Sequence, residues 1–169
     1  MAIQTNLIDS EILIVYFSHT GSTQQLAGYI NEKTGGTSIR LEPEIEYPTD
    51  HQATVDCISV QNKANVVPEL KNKIDNLDRY KVVFLGFPVW DKRLPPPVRS
   101  FLKQCNLKGK TVLPFHTHSG FGSGNSIPEI REWCPDAAIG TPFLEKGDLV
   151  TTAKSKVAIW LEEVLEKVD

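Results

Sequence analysis

Residues Ser18-His19-Thr20-Gly21-Ser22-Thr23 set four hydroxyls and a glycine between an apolar run and a helix-like run. A helix N-terminus offers unpaired N–H groups and a partial positive charge. Gly21 lets the backbone approach a ligand closely. Such a segment suits a phosphate. It does not end in the Gly-Lys-Ser/Thr of a Walker A loop, so neutral donors and the helix dipole would hold the anion. The plainer alternative is that Ser22 or Thr23 merely caps a helix.

Two further segments carry comparable chemistry. In Gly86-Phe87-Pro88-Val89-Trp90-Asp91-Lys92-Arg93-Leu94-Pro95, a tryptophan sits in a proline-bounded loop. It would offer a flat aromatic ligand an offset-stacked face, or else fold back over the edge of the core. The third segment, His116-Thr117-His118-Ser119-Gly120-Phe121-Gly122-Ser123-Gly124, has a backbone that glycine keeps open to a ligand edge. Its H-x-H pair suggests metal, but no nearby Cys, Asp or Glu completes a ligand set. His116 and His118 read better as polar lining residues.

Each segment follows an apolar run. Ile12–Phe17 and Val82–Phe87 are continuous, as in strands covered on both faces. Thr37–Leu41 and Thr111–Phe115 are further strands, although Pro114 cannot donate to a ladder. Ala137–Leu144 is a weaker fifth. Helix patterns alternate with them. One places Leu26, Ala27 and Ile30 on a shared face and ends at Gly35-Gly36. Others cover Thr49–Ala64, with Val55, Cys57 and Ile58 available for burial, and a segment starting on Pro97 and running through Val98, Phe101 and Leu102. Ser126 and Glu129 have capping-box spacing for a helix reaching Trp133. A terminal helix repeats Val157, Trp160, Leu161, Val164, Leu165 and Val168 at amphipathic intervals. Glu42–Pro48 reads as loop, and Pro68–Tyr80 has no single reading.

Alternation of this kind predicts an α/β fold in three layers, a doubly wound five-stranded parallel sheet with helices on both faces. Ligands of such sheets bind beyond the carboxyl ends of the strands. The three segments then share one edge. One suits a phosphate, one a flat ring and one a polar ring edge, and flavin mononucleotide (FMN) has these three parts.

The 169 residues, 40% hydrophobic and 23% charged, suit one domain over residues 1–169. A net charge of -3 gives no nucleic-acid footprint. No apolar run approaches the roughly 20 residues that span a bilayer. The start, MAIQTNLIDS, lacks the features of a signal peptide. Cys57, Cys105 and Cys134 read as buried thiols of a reducing compartment, so the expected location is cytoplasmic.

The motif S-x-T-G-S-T resembles the FMN phosphate loop of the flavodoxins. VVFLGFPVW before a Pro-rich helix start, and PFHTHSGFGSG, resemble a short-chain, chiefly bacterial branch of that family. The similarity runs from Glu11 to the terminal helix and includes the stretch from Tyr47 through Asn76-Leu77-Asp78. It implies strand order 2-1-3-4-5 and non-covalent FMN. By position, Ser18, Thr20, Gly21, Ser22 and Thr23 would hold the phosphate with help from the His19 backbone. Pro88, Val89, Trp90 and Asp91 would line the isoalloxazine, with Trp90 stacked. Thr117, His118, Ser119 and Gly120 would reach the pyrimidine edge or ribityl chain, with Phe121 and Gly122 beside them. The branch often follows its Trp with another aromatic and a glycine. Here Asp91 and Lys92 stand instead, which removes a second aromatic cover. It also sets a non-glycine where positive φ would be uncommon.

The resemblance implies a flavodoxin-type redox protein that passes electrons through FMN to a redox partner protein or a small acceptor. The alternative is an NAD(P)H-dependent FMN oxidoreductase acting on a quinone or similar acceptor, although no nicotinamide fingerprint is evident. No residue is assigned as catalytic. A cofactor-free interaction module on the same fold is a third reading. A phosphoacceptor signalling domain would need carboxylates for magnesium at the strand ends, where Phe17-Ser18 and Phe87-Pro88 stand.

Overall fold

The computed structural model describes residues 7–168. Parallel strands β1 (Ile12–Tyr16), β2 (Thr37–Arg40), β3 (Val82–Pro88), β4 (Thr111–His118) and β5 (Ala138–Ile139) lie in the order β2-β1-β3-β4-β5. A sixth strand, β6 (Phe143–Lys146), also pairs with β4. The helices are α1 (Ser22–Thr34), α2 (His51–Lys63), α3 (Pro96–Gln104), α4 (Ser126–Trp133) and α5 (Lys154–Leu165).

Successive strand side chains point to opposite faces, and the core divides accordingly. Ile12, Ile14, Tyr16, Val82, Phe84, Leu113 and Phe115 pack with α1 and α5. Leu13, Val15, Phe17, Val83, Leu85 and Phe87 pack with α3, α4 and Ile58 of α2. This explains why β1 and β3 read as unbroken apolar runs: both faces are covered.

The fifth place in the sheet is filled by two short strands rather than by one run over Ala137–Leu144. Pro114 shows why this is tolerated. The Thr111 N–H bonds Lys81 on the β3 side, while the Val112 carbonyl accepts from Gly140 on the other side. By alternation, the missing donor of Pro114 faces that second side. There β5 has ended and β6 has not begun, so no ladder bond is lost. The fourth strand also continues past Phe115, so His116, Thr117 and His118 belong to β4 and not to the loop.

Helix boundaries follow their punctuation, with exceptions. Gly35 sits at φ 67 and caps α1 through its N–H to Asn31. Asp50 caps α2 through the Ala53 N–H at 2.8 Å. On α2, Ile58 is buried but Val55 is exposed, and Thr54 and Asn62 take inward positions instead. Helix α3 starts on Pro96, one residue early. The capping box at Ser126 does not form. The Ser126 hydroxyl bonds the Ser123 carbonyl, and Glu129 is drawn away to the Leu94 N–H. Residues Pro68–Tyr80 are mostly irregular, tied by Asn72 to Arg40 and Glu42 and by the Ser100 hydroxyl to the Pro68 carbonyl. The three cysteines are free. Cys134 is buried and the others half-buried, and burial raises the Cys105 and Cys134 thiols to about 11.

Candidate functional site

The loop between β1 and α1 is organised from within. The Ser18 hydroxyl, almost fully buried, accepts the N–H groups of Gly21 and Gln24 at 3.2 Å each. Neither Ser22 nor Thr23 caps the helix. Ser22 donates to the Gly147 carbonyl, and Thr23 shares a 3.0 Å hydrogen bond with the Thr117 hydroxyl across the sheet edge. Gly21 lies at φ 102, a region costly for any residue with a Cβ. The backbone N–H groups of Thr20, Ser22 and Thr23 find no acceptor among the described residues. Thr20 is exposed, and a Cβ on Gly21 would meet nothing within 4 Å. The loop therefore presents a concentrated set of open donors at a helix N-terminus, the setting in which phosphate groups bind.

Beside it, Trp90-Asp91-Lys92-Arg93 forms a tight hairpin. The Trp90 N–H donates to the Arg93 carbonyl at 3.1 Å, and the Arg93 N–H returns the bond at 2.9 Å. Asp91 lies at φ 51 and Lys92 at φ 58, the left-handed pair of a two-residue turn. The expectation that Lys92 avoids positive φ is thus overturned. Tertiary contacts outweigh its local preference. The Lys92 carbonyl accepts from the Asn125 N–H at 2.7 Å, and Gly124 packs so closely that a Cβ would sit 2.5 Å from that oxygen. Asp91 accepts from the Asn62 amide at 3.3 Å.

Trp90 is half-buried. Its ring meets Phe17, Tyr47 and His19 edge-on, at centroid separations of 5.1, 5.0 and 5.6 Å. These contacts hold the indole in place at the core edge without closing it off. Pro88 ends β3, and the Val89 N–H bonds the Thr117 carbonyl at 2.9 Å.

At the end of β4, Thr117 is buried and engaged with Thr23. His118 acts on its own loop. Its Nδ1 accepts the N–H groups of Gly120 and Gly122, at 3.0 and 3.2 Å, and so fixes the turn carrying Ser119 and Gly120 at the surface. His116 is not a lining residue. It is fully buried, stacked on Phe87 at 5.3 Å, and its Nε2 lies 2.8 Å from the Ser123 hydroxyl. Burial, with His118 nearby, pushes its imidazole down to about 4. It stays neutral at neutral pH and adds no charge to the site.

Several site residues had no local signal. Arg40, at the end of β2, donates to the Ser18 carbonyl at 2.8 Å and sets a guanidinium beside the Ser18–Thr23 loop. A positive charge thus lies beside the loop's neutral donors. Asn62 and Glu129 brace the hairpin through Asp91 and Arg93. Only strand order, which sets β2 beside β1, could have pointed to Arg40.

Comparisons with known proteins agree with this fold. A candidate flavoprotein from Bacteroides eggerthii is 32% identical, with a TM-score of 0.80 over 92% of this chain and 98% of that one. A similar protein from Bacteroides uniformis is 27% identical, with a TM-score of 0.77 over 88% of this chain and 98% of that one. A Lactobacillus acidophilus flavoprotein, solved in complex with FMN, shares the fold at 24% identity and a TM-score of 0.70, covering 85% of this chain and 97% of that one. No curated protein matches. The sequence model described as Flavodoxin matches residues 11–164, and the chain belongs to the flavodoxin family.

Proposed function

We propose that this chain binds FMN non-covalently and carries electrons through it. One observation supports the reading above the others. A donor-rich loop with open N–H groups, a braced tryptophan turn and the end of β4 converge at the carboxyl edge of the sheet, joined by the Thr23–Thr117 hydrogen bond and the His19–Trp90 ring contact. The N–H groups of Thr20, Ser22 and Thr23 would hold the phosphate, with Arg40 adding charge. Trp90 would face the ring system, and the Ser119-Gly120 turn would meet its polar edge. Bound there, the flavin supplies the redox chemistry. The protein supplies position, and Lys92 and Arg40 supply positive charge.

The purified protein should be yellow, with an absorption band near ~450 nm, and should release FMN on denaturation. The reduced holoprotein should pass electrons to a one-electron acceptor such as ferricyanide, and should not oxidise NADH or NADPH catalytically. Steady turnover of either nucleotide with a quinone would replace the carrier reading with that of an FMN oxidoreductase. No affinity for FMN would leave the interaction-module reading.

A further inference from the structure

Beside the hairpin lies a cavity of about 470 Å³ between the end of α2, α3 and α4, and no residue of the Ser18–Thr23 loop lines it. Its lining includes Arg93, Arg99, Lys103, Glu129, Glu132 and Trp133. That volume falls within the range of small-molecule sites.

The charges around it are not evenly paired. Arg93 has a partner: its Nε lies 3.4 Å from Glu129 Oε1, and the same oxygen also accepts the Leu94 N–H. Arg99 does not. It is only 3% exposed, yet no carboxylate among the described residues lies within ion-pair distance of it. One terminal nitrogen, Nη2, donates to Asn62 Oδ1 at 2.9 Å and lies 3.5 Å from the Val66 carbonyl. The other, Nη1, is buried with no acceptor among the described residues. A buried guanidinium with an idle donor is costly unless something pairs with it. Lys103, one helical turn further along α3, adds a second, exposed cation without a carboxylate partner among the described residues. Trp133 gives the rim an aromatic surface and is 36% exposed. Glu132 is exposed and can turn into solvent.

We propose that this cavity is a binding site for a small organic anion, whose carboxylate or phosphate pairs with Arg99 and Lys103 and whose flat or apolar body lies against Trp133. The guanidinium fork matches either oxyanion. The site is separate from the flavin edge, although Asn62 touches both: its Oδ1 accepts from Arg99 and its Nδ2 donates to Asp91.

The test is a ¹⁵N-detected NMR titration of the protein saturated with FMN, so that the Ser18–Thr23 loop is already filled. The probes are benzoate, phenyl phosphate, inorganic phosphate and, as a neutral control, benzyl alcohol. Benzoate or phenyl phosphate should shift the Arg99 Nε–H, the Trp133 indole N–H and the Asn62 amide saturably, and benzyl alcohol should not. The tighter of the two identifies the preferred head group. Arg99→Gln should weaken binding about tenfold or more, and Lys103→Gln about threefold, as expected for charge-assisted contacts. Glu132→Gln should tighten binding, an effect that damage to the fold would not mimic. If FMN does not bind, the same signals can be read in the chain alone, because they lie apart from the phosphate loop.

The absence of saturable shifts at Arg99 and Trp133 would mean that Nη1 is met by water only, and would overturn the proposal. Binding unchanged by both Arg99→Gln and Lys103→Gln would also overturn it. Inorganic phosphate binding as tightly as phenyl phosphate would overturn the part assigned to Trp133.

Discussion

The Ser18–Thr23 loop and the Trp90–Arg93 hairpin lie side by side, but their backbones are used in opposite ways. The loop leaves the N–H groups of Thr20, Ser22 and Thr23 open, while Ser18 and Thr23 side chains hold its shape. The hairpin closes its ends on itself with reciprocal Trp90–Arg93 bonds, and Asn62, Asn125 and Glu129 brace it from behind. The first arrangement suits an anion, with main-chain donors left open to it. The second makes a stiff wall whose shape does not depend on a ligand. A site that holds a charged tail and positions a ring needs both.

Acid should separate the two regions most strongly. The loop is held by hydroxyls that do not titrate. The segment behind the hairpin is anchored by His116 to Ser123. His116 is lowered from 6.5 to about 4. The unfolded chain therefore takes up a proton near pH 6.5 that the folded chain refuses until about pH 4. The contribution is complete above pH 6.5 and is lost as pH falls through that window, in total on the order of 3 kcal/mol. Denaturant unfolding at a series of pH values should show this slope, and His116→Phe should flatten it.

Glycine substitutions should separate the regions next. At Gly124 a Cβ would overlap the Lys92 carbonyl at 2.5 Å, and φ is +54. Gly124→Ala should destabilise by about 2–3 kcal/mol and should disturb the Trp90 environment. At Gly21 there is open space, so Gly21→Ala should cost only the backbone strain, about 1–2 kcal/mol. Equal effects in thermal or urea unfolding would show that the hairpin is not braced as described. The smallest effect is expected for Lys92→Gly. Because Lys92 already sits at φ 58, glycine should be neutral or stabilising by up to about 1 kcal/mol, read from the same unfolding curves.

The same contrast explains what could be read from the sequence. The strands and the conformation of the loop after β1 were legible because local residue types dictate them: unbroken apolar runs, Gly21 among hydroxyls, Gly35 ending a helix; strand order came only with the family resemblance. The hairpin was not, because its conformation is imposed from far along the chain by Asn62, Gly124 and Asn125 against the preference of Lys92. His116 misled for a related reason. In H-x-H the strand continues to His118, and stacking on Phe87 draws the first histidine into the core. Arg40 and Arg99 act through tertiary contacts, and a lone arginine carries no pattern to find.

The central claim is that the Ser18–Thr23 loop is a phosphate receptor for FMN. Calorimetric titration of the apoprotein with FMN, riboflavin and FAD tests it most directly. FMN should bind more tightly than riboflavin by at least about 2 kcal/mol, the scale of charge-assisted hydrogen bonds to the open N–H groups, and FAD should bind weakly. Thr23→Ala should narrow the FMN–riboflavin gap by roughly 1 kcal/mol as the loop loses its tie to Thr117. Equal affinity for FMN and riboflavin would contradict the account.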